Sequence, residues 1–278
     1  MTAFEAASKL YPDSSRRTLQ QWFKNGRFLV DGKTARRGDV LLTDGQVIQA
    51  HETFNPPKVP GLKIIYEDRH MIVIDKPVGL LSVPLDEGQP KRDALGLLRQ
   101  HCGTDQVFAV HRIDRETSGI LMFARGKESE TRFDVLFEQH DIRREYFAIV
   151  EGRVKDNEGT WECNLLELPS YQVIDSPEGK IATTHFSVMR RSAKYTYLKL
   201  QLETGRKHQI RVHCQMAGHP VLGDARYGSV ENPLKRMCLH ACLLGFKHPF
   251  TKQQVEFSSP LPGIFEALGA RKAKNDGL

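Results

Sequence analysis

The chain of 278 residues predicts an α+β protein in two domains. Three observations carry that reading. Strand-length segments alternate apolar and polar residues, most cleanly from Tyr195 to Glu203, where Leu198, Leu200 and Leu202 fall on one side and Tyr197, Lys199 and Gln201 on the other. Helical patterns interrupt them, as at Glu128 to Glu138 with Phe133, Leu136 and Phe137 on one face. A stretch rich in proline and glycine, Asn55 to Gly61 (NPPKVPG), separates two composition patterns and marks a linker at 56–60.

Composition narrows the class. At 40% hydrophobic and 27% charged residues the chain has ample material for a core, and no apolar run approaches the roughly 18 residues that span a bilayer. The opening MTAFEAASKLYPDSS carries Glu5 and Asp13 and lacks a basic start followed by an apolar core, so a cytoplasmic protein without a membrane partner is expected. Five scattered cysteines, Cys102, Cys163, Cys214, Cys238 and Cys242, fit reduced thiols, and no paired short-spaced thiolate motif points to a metal. A net charge of +6 favours a polyanionic partner.

That charge is uneven. Between Arg16 and Arg37 stand Arg16, Arg17, Lys24, Arg27, Lys33, Arg36 and Arg37 against a single acid, Asp31. Leu19, Trp22 and Phe23 recur at helical spacing, so Ser15 to Asn25 reads as a basic helix with an apolar face, N-capped by Ser14 or Ser15 and stopped by Gly26. Short strands follow on either side of an Asp31-Gly32 turn. Met71 to Ile74 is an apolar run ahead of the turn-forming Lys76-Pro77-Val78-Gly79. Asp93 to His101 reads as a helix, Val107 to Val110 as a strand, and 151–181 as loop-rich. The strand ending at Glu203 gives way to Thr204-Gly205-Arg206 and then KHQIRVHCQMAG, a helix closed by Gly218 with Pro220 beyond.

The stretch from His111 to Arg125, HRIDRETSGILMFAR, is the chemical centre. A polar turn precedes a buried strand, and Asp114 sits between Arg112 and Arg115, whose charge would hold its carboxylate ionised as a nucleophile or base. An ordinary loop ion pair is the structural alternative.

HRIDRETSGILMFA resembles the signature of the RluA-type pseudouridine synthases, with Ile113 in place of the usual leucine. REYFAIVEG at Arg144 to Gly152 and LETGRKHQIRVH at Leu202 to His213 resemble two further motifs of that family, and GDARYG and CLHACLLGFKHPF resemble its closing segments. The resemblance implies a catalytic domain at 61–266 on a mixed, largely antiparallel sheet with flanking helices, followed by a polar tail at 267–278. It makes Asp114 the catalytic aspartate, Tyr146 the active-site tyrosine and Arg206 the arginine that pairs with the aspartate. It places His111, Arg112 and Ile210 against the substrate, Arg112 filling the place that the flipped uridine leaves.

Residues 1–55, through SRRTLQQWFKNGRFLVDGK, resemble the S-four-type RNA-binding domain, with Asp31 where asparagine is frequent and without the usual Arg-Leu-Asp opening. Arg16, Arg17, Lys24, Arg27, Lys33 and Arg36 would meet RNA phosphates there. The implied reaction moves the glycosidic bond of uracil from nitrogen to carbon five, so no cofactor is required. The aspartate would attack the sugar, add to the base or take a sugar proton. Large-subunit ribosomal RNA is the expected substrate and a monomer the expected state. The rival readings are a synthase for transfer RNA and a catalytically inactive RNA-binding assembly factor.

Overall fold

The computed structural model describes residues 1–12, 14, 16–24, 26–43, 45–50, 61–84 and 93–270. The expected linker at 56–60, the N-cap Ser15 and 271–278 of the expected tail lie outside the described residues, as does the side chain of Arg17. The chain forms two compact units, Met1–Lys76 with Leu81–Arg112 and Leu121–Val135, and Pro77–Leu80 with Ile113–Ile120 and Leu136–Leu278. No helix among the described residues is long and apolar enough to cross a membrane.

In the first unit, helix α1 (Ala3–Leu10) begins at a capping box in which Thr2 accepts from the Glu5 amide and Glu5 reaches back to the Thr2 amide. Helix α2 (Arg16–Lys24) is followed by β1 (Phe28–Val30), β2 (Lys33–Ala35) and β3 (Ile48–Ala50), an antiparallel sheet in the order β2-β1-β3. The β1–β2 turn needs positive φ at both central residues, and Asp31 (49°) and Gly32 (76°) supply it. Ala3, Ala7, Leu19, Trp22, Phe23 and Phe28 close a small core of their own, with the Phe23 and Phe28 rings 4.6 Å apart.

One expected RNA contact is part of that core. Arg27 is only 7% exposed, lies 3.7 Å over the Trp22 ring and comes within 3.9 Å of Glu67, so it is withdrawn from any phosphate. Strand β4 (Lys63–Glu67) supplies that carboxylate and pairs with β5 (Met71–Lys76), in which Lys76 is fully buried. Helix α3 (Ala94–Cys102) is capped by Asp93, whose side chain accepts from the Gly96 amide at 2.9 Å, and ends at Gly103 with φ 68°. Strand β6 (Val107–Ala109) pairs with the second half of β7 (Ser118–Arg125), and helix α4 (Lys127–Glu138) follows, burying Phe133.

The second unit holds the longer strands: β8 (Ile142–Glu151), β9 (Glu158–Glu167), β10 (Val173–Asp175), β11 (Lys180–Arg191) and β12 (Tyr195–Leu202). Helix α5 (Gln209–Met216), a 3₁₀ turn (Ala225–Tyr227), β13 (Leu239–Lys247), β14 (Gln254–Ser258) and α6 (Gly263–Ala270) complete it. The antiparallel order is β10-β9-β11-β12-β8-β13, and β14 also pairs with β13. Residues 151–181 are therefore not the loop expected of them. In β9 Trp161, Cys163 and Leu165 alternate with Thr160, Glu162 and Asn164, but only Leu165 is fully buried, so the period-two pattern is short and weak although the hydrogen-bonded ladder is complete. The expected tail also begins later, since α6 continues to Ala270. All five cysteines are free thiols.

The opening of β7 lies parallel to β13, with Ser118 opposite His240 and Gly119 opposite Ala241. Gly119 has φ 111°, and a Cβ there would stand 2.1 Å from the Ala241 carbonyl oxygen. Gly119→Ala should cost roughly 3 kcal/mol or more by urea denaturation, whereas Gly218→Ala, with φ 77° and open space around it, should cost only about 1–2 kcal/mol.

His213, buried in α5 between Thr184 Oγ1 (2.9 Å) and Cys163 Sγ (3.2 Å), has its pKa pushed down to about 4 by burial. Its neutral form is the folded form, so the stability tied to it is present above about pH 6.5 and is lost as pH falls toward 4. Unfolding free energies across that range should fall by about 2–3 kcal/mol more in the wild type than in His213→Gln.

Candidate active site

Asp114 sits in the turn between β6 and β7. The turn is shaped by the Thr117 amide donating to the Asp114 carbonyl (3.1 Å) and by the Gly79 amide, from the Lys-Pro-x-Gly turn, donating to the Arg115 carbonyl (2.8 Å). Ser118 Oγ, at the start of β7, is 2.8 Å from His240 Nδ1 and accepts from Arg236 Nη2 at 2.8 Å. These bonds hold the end of the turn against β13. The Asp114 side chain keeps 23% of its exposure, enough for a substrate to reach it.

The cation that meets this carboxylate is not the one expected. Arg211 Nη1 donates to Asp114 Oδ2 at 2.9 Å, while Arg206 Nε donates to the Ile181 carbonyl at 3.1 Å. The helix begins at Gln209, so Arg206 belongs to the turn before α5, whereas Arg211 lies in its first turn. Arg115 pairs with Glu116, and Arg112 is exposed. The charge support expected of the two flanking arginines therefore comes from a distant part of the chain.

Arg211 is itself clamped. Its Nε and Nη2 donate to the two oxygens of Asp224 at 2.6 and 2.8 Å, a fork-to-fork pair that leaves Nη1 for Asp114. Burial works against its charge, but Asp224 and Asp114 outweigh that and raise its pKa. The start of α5 is fixed by Gln209, whose Oε1 accepts from Thr204 Oγ1 (2.8 Å) and the Arg206 amide (2.9 Å) and whose Nε2 donates to the Thr183 carbonyl (2.9 Å). His208, in the left-handed region at φ 53°, places Nε2 3.8 Å from Asp114 Oδ1 and Nδ1 2.7 Å from the Tyr227 hydroxyl. Burial lowers the His208 pKa although Asp114 pulls it upward, so the ring is neutral at pH 7.

Tyr146 lies in β8 opposite Leu200 on one side and Ala241 on the other, and Ala241 also faces Gly119. Its ring packs on the cluster containing Leu200 and Ile210. Burial pushes its hydroxyl up to about 12; Arg144 opposes that shift and the Asp114 charge adds to it. Asp114, Tyr146 and Arg211 thus share one site.

The other expected contacts divide. Ile210 is 4% exposed and packs in the core cluster that also receives the Tyr146 ring. His111 Nε2 accepts from the Met122 amide at 2.9 Å, a bond that fixes the chain ahead of β7. Arg211, Asp224, His208 and Tyr227 were not singled out from the sequence. The available signals were an arginine set between Ile210 and Val212 in an apolar helix and an acid beside Gly223.

Among the described residues one trio, Glu67, His101 and Cys102, brings possible metal-ligand atoms within 4.8 Å of one another. Arg125 donates to Glu67 at 2.9 Å and Arg27 lies beside it, so the local field opposes a cation.

The profile of the RNA pseudouridylate synthase family matches residues 70–216, slightly more than half of the chain. The chain is 33% identical to the ribosomal large subunit pseudouridine synthase D of Xanthomonas campestris, over 94% of this chain and 86% of that one. It is 34% identical to the RNA pseudouridine synthase YhcT of Bacillus subtilis, over 92% of this chain and 88% of that one. Human RNA pseudouridylate synthase domain containing 1 shares the fold, with a TM-score of 0.61 at 23% identity, covering 81% of this chain and all of that one. The catalytic motifs, the sheet that brings them together and these relatives agree: the chain belongs to the RNA pseudouridylate synthase family and is an enzyme that isomerises uridine to pseudouridine in RNA.

Proposed function

We propose that this enzyme modifies large-subunit ribosomal RNA and that Asp114 is the group that reacts with the flipped uridine. The supporting observation is a carboxylate that is part-exposed yet held in one position by an arginine anchored on a second, buried carboxylate. The substrate reading rests on the ribosomal relatives, which align over nearly the whole chain. Transfer RNA is the alternative substrate.

In this reading Arg211 orients Asp114 and balances its charge, and takes the role expected of Arg206. The Tyr146 ring stacks on the uracil face, and its hydroxyl, protonated at neutral pH, carries a proton to or from the base. Arg112, exposed two residues before Asp114, occupies the gap in the RNA stack. At the N-terminus, Lys9, Arg16, Lys24 and Arg36 line a groove of about 880 Å³. With exposed Lys33 they form the S-four-like surface that holds RNA phosphates. A cytoplasmic monomer is the setting we assign to this activity, in keeping with the five free thiols.

The deciding experiment is pseudouridine mapping of cellular RNA from a strain without the protein, rescued by the wild type or by Asp114→Asn. Defined large-subunit positions should disappear and return only with the wild type; return with Asp114→Asn would remove Asp114 from the chemistry. In purified enzyme, Arg211→Lys should lower kcat by about 100-fold or more, because an ammonium cannot reproduce the planar two-bond fork on Asp224 and hold Asp114 in the same orientation. Arg206→Met should instead leave kcat within a few-fold and raise KM. Equal effects on kcat would show that the two arginines have been assigned wrongly.

A further inference from the structure

The turn between β9 and β10 presents an aromatic ring to solvent beside the site. Tyr171 donates its amide to the Leu168 carbonyl, and Leu168 donates its own to the Gln172 carbonyl, both at 2.8 Å. Its φ is 61°, a conformation in which glycine or asparagine is cheaper, and the ring is 67% exposed, so burial gives it no compensation.

The surroundings are cationic. Lys207 Nζ lies 5.1 Å from the ring centroid and is also paired with Glu167. Arg226 Nη1 donates to the Tyr171 carbonyl at 3.3 Å. Neither Arg226 nor Arg206 has a carboxylate at ion-pair distance among the described residues, so both keep charge available to a polyanion.

A short chain of bonds ties this turn to the reacting carboxylate. Val173, which opens β10, donates its amide to the Tyr227 hydroxyl at 3.1 Å. The same oxygen is 2.7 Å from His208 Nδ1, and His208 Nε2 is 3.8 Å from Asp114. An exposed aromatic ring with Lys207 and Arg226 against it, in a turn bonded through Tyr227 and His208 toward Asp114, has the chemistry of a single-stranded nucleotide site.

We propose that Tyr171 is a stacking platform for an unpaired nucleobase neighbouring the target uridine, with Arg206 and Arg226 on the adjoining phosphates. The inference rests on the reading of Asp114 as the reacting group. It makes the β9–β10 turn a determinant of which RNA is accepted: a target whose neighbour is locked in a duplex forfeits the stack. A protein partner fits less well, because the residues around the ring are charged.

The test uses the full-length enzyme and unmodified large-subunit ribosomal RNA transcribed in vitro, with kcat and KM measured separately. Tyr171→Phe should match the wild type within about two-fold. Tyr171→Ala should raise KM by about 5- to 100-fold with kcat at saturation nearly unchanged, and Tyr171→Leu should not restore it. Because the ring is exposed, all three should melt with the wild type. A KM for Tyr171→Ala equal to that of the wild type overturns the platform, as does full rescue by leucine, which would mark a general apolar contact of the kind a protein makes. As an independent readout, ultraviolet crosslinking of Asp114→Asn to the same RNA should join the peptide bearing Tyr171 to a nucleotide beside the modified uridine; a crosslink to a distant nucleotide, or none from this peptide, overturns it too. If the wild type modifies neither this RNA nor transfer RNA, the functional reading fails and the platform falls with it. If the wild type turns over and only the Tyr171 variants are silent, the platform alone is lost.

Discussion

The site depends on one buried guanidinium. Arg211 spends two of its N–H groups on Asp224 and one on Asp114, so a planar cation fixes the distance and orientation of the Asp114 carboxylate from a fully enclosed anchor. A buried charge is costly unless paired and hydrogen-bonded, and Asp224, itself 2% exposed, meets that cost before the substrate arrives. Asp114 is then free to remain part-exposed. A lysine could neutralise one carboxylate, but not hold both in a plane.

The helix that carries Arg211 is fixed by hydrogen bonds to the sheet as well as by packing. Gln209 ties its first turn to Thr204 and to the β11 residues Thr183 and Thr184, while Ile210 and Cys214 enter the apolar cluster that also receives the Tyr146 ring. β13 brings the remaining piece into place, since Ala241 lies between Gly119 and Tyr146. The absence of a side chain at Gly119 lets the turn that carries Asp114 approach that strand, and Ser118 with His240 and Arg236 locks it there.

Charge elsewhere is sorted by the same rule. In the first unit Arg27 and Arg125 both lie over Trp22 and face Glu67, a buried arrangement that turns both guanidinium groups inward. Arg16, Lys24, Lys33 and Arg36 stay exposed and remain available to phosphates. A basic run in sequence thus contains residues of opposite purpose, divided by whether an aromatic ring and an acid happen to lie within reach.

The enzyme family and the α+β class were legible because they are written in contiguous stretches: HRIDRETSG, REYFAIVEG and the alternation from Tyr195 to Glu203. Local patterns also placed α2, α3, α4 and the Asp31-Gly32 turn, since caps, glycines and apolar periodicity act over a few residues. The hairpin of β9 and β10 escaped because its apolar row, Trp161, Cys163 and Leu165, is only three residues long and mostly half-buried, a weak strand signal. Tertiary structure alone decided which arginine meets Asp114. Arg206 and Arg211 stand five residues apart in one basic segment, and although the sequence puts Arg206 in a turn and Arg211 in a helix, it does not say which of them faces Asp114. The choice follows from where α5 begins and from Asp224, which anchors Arg211, 97 residues along the chain from Asp114, inside the fold while Arg206 stays in the turn outside the helix. A sequence specifies which side chains can be ionised or buried, but which two ions meet is fixed only when the sheet and helix that carry them are packed together.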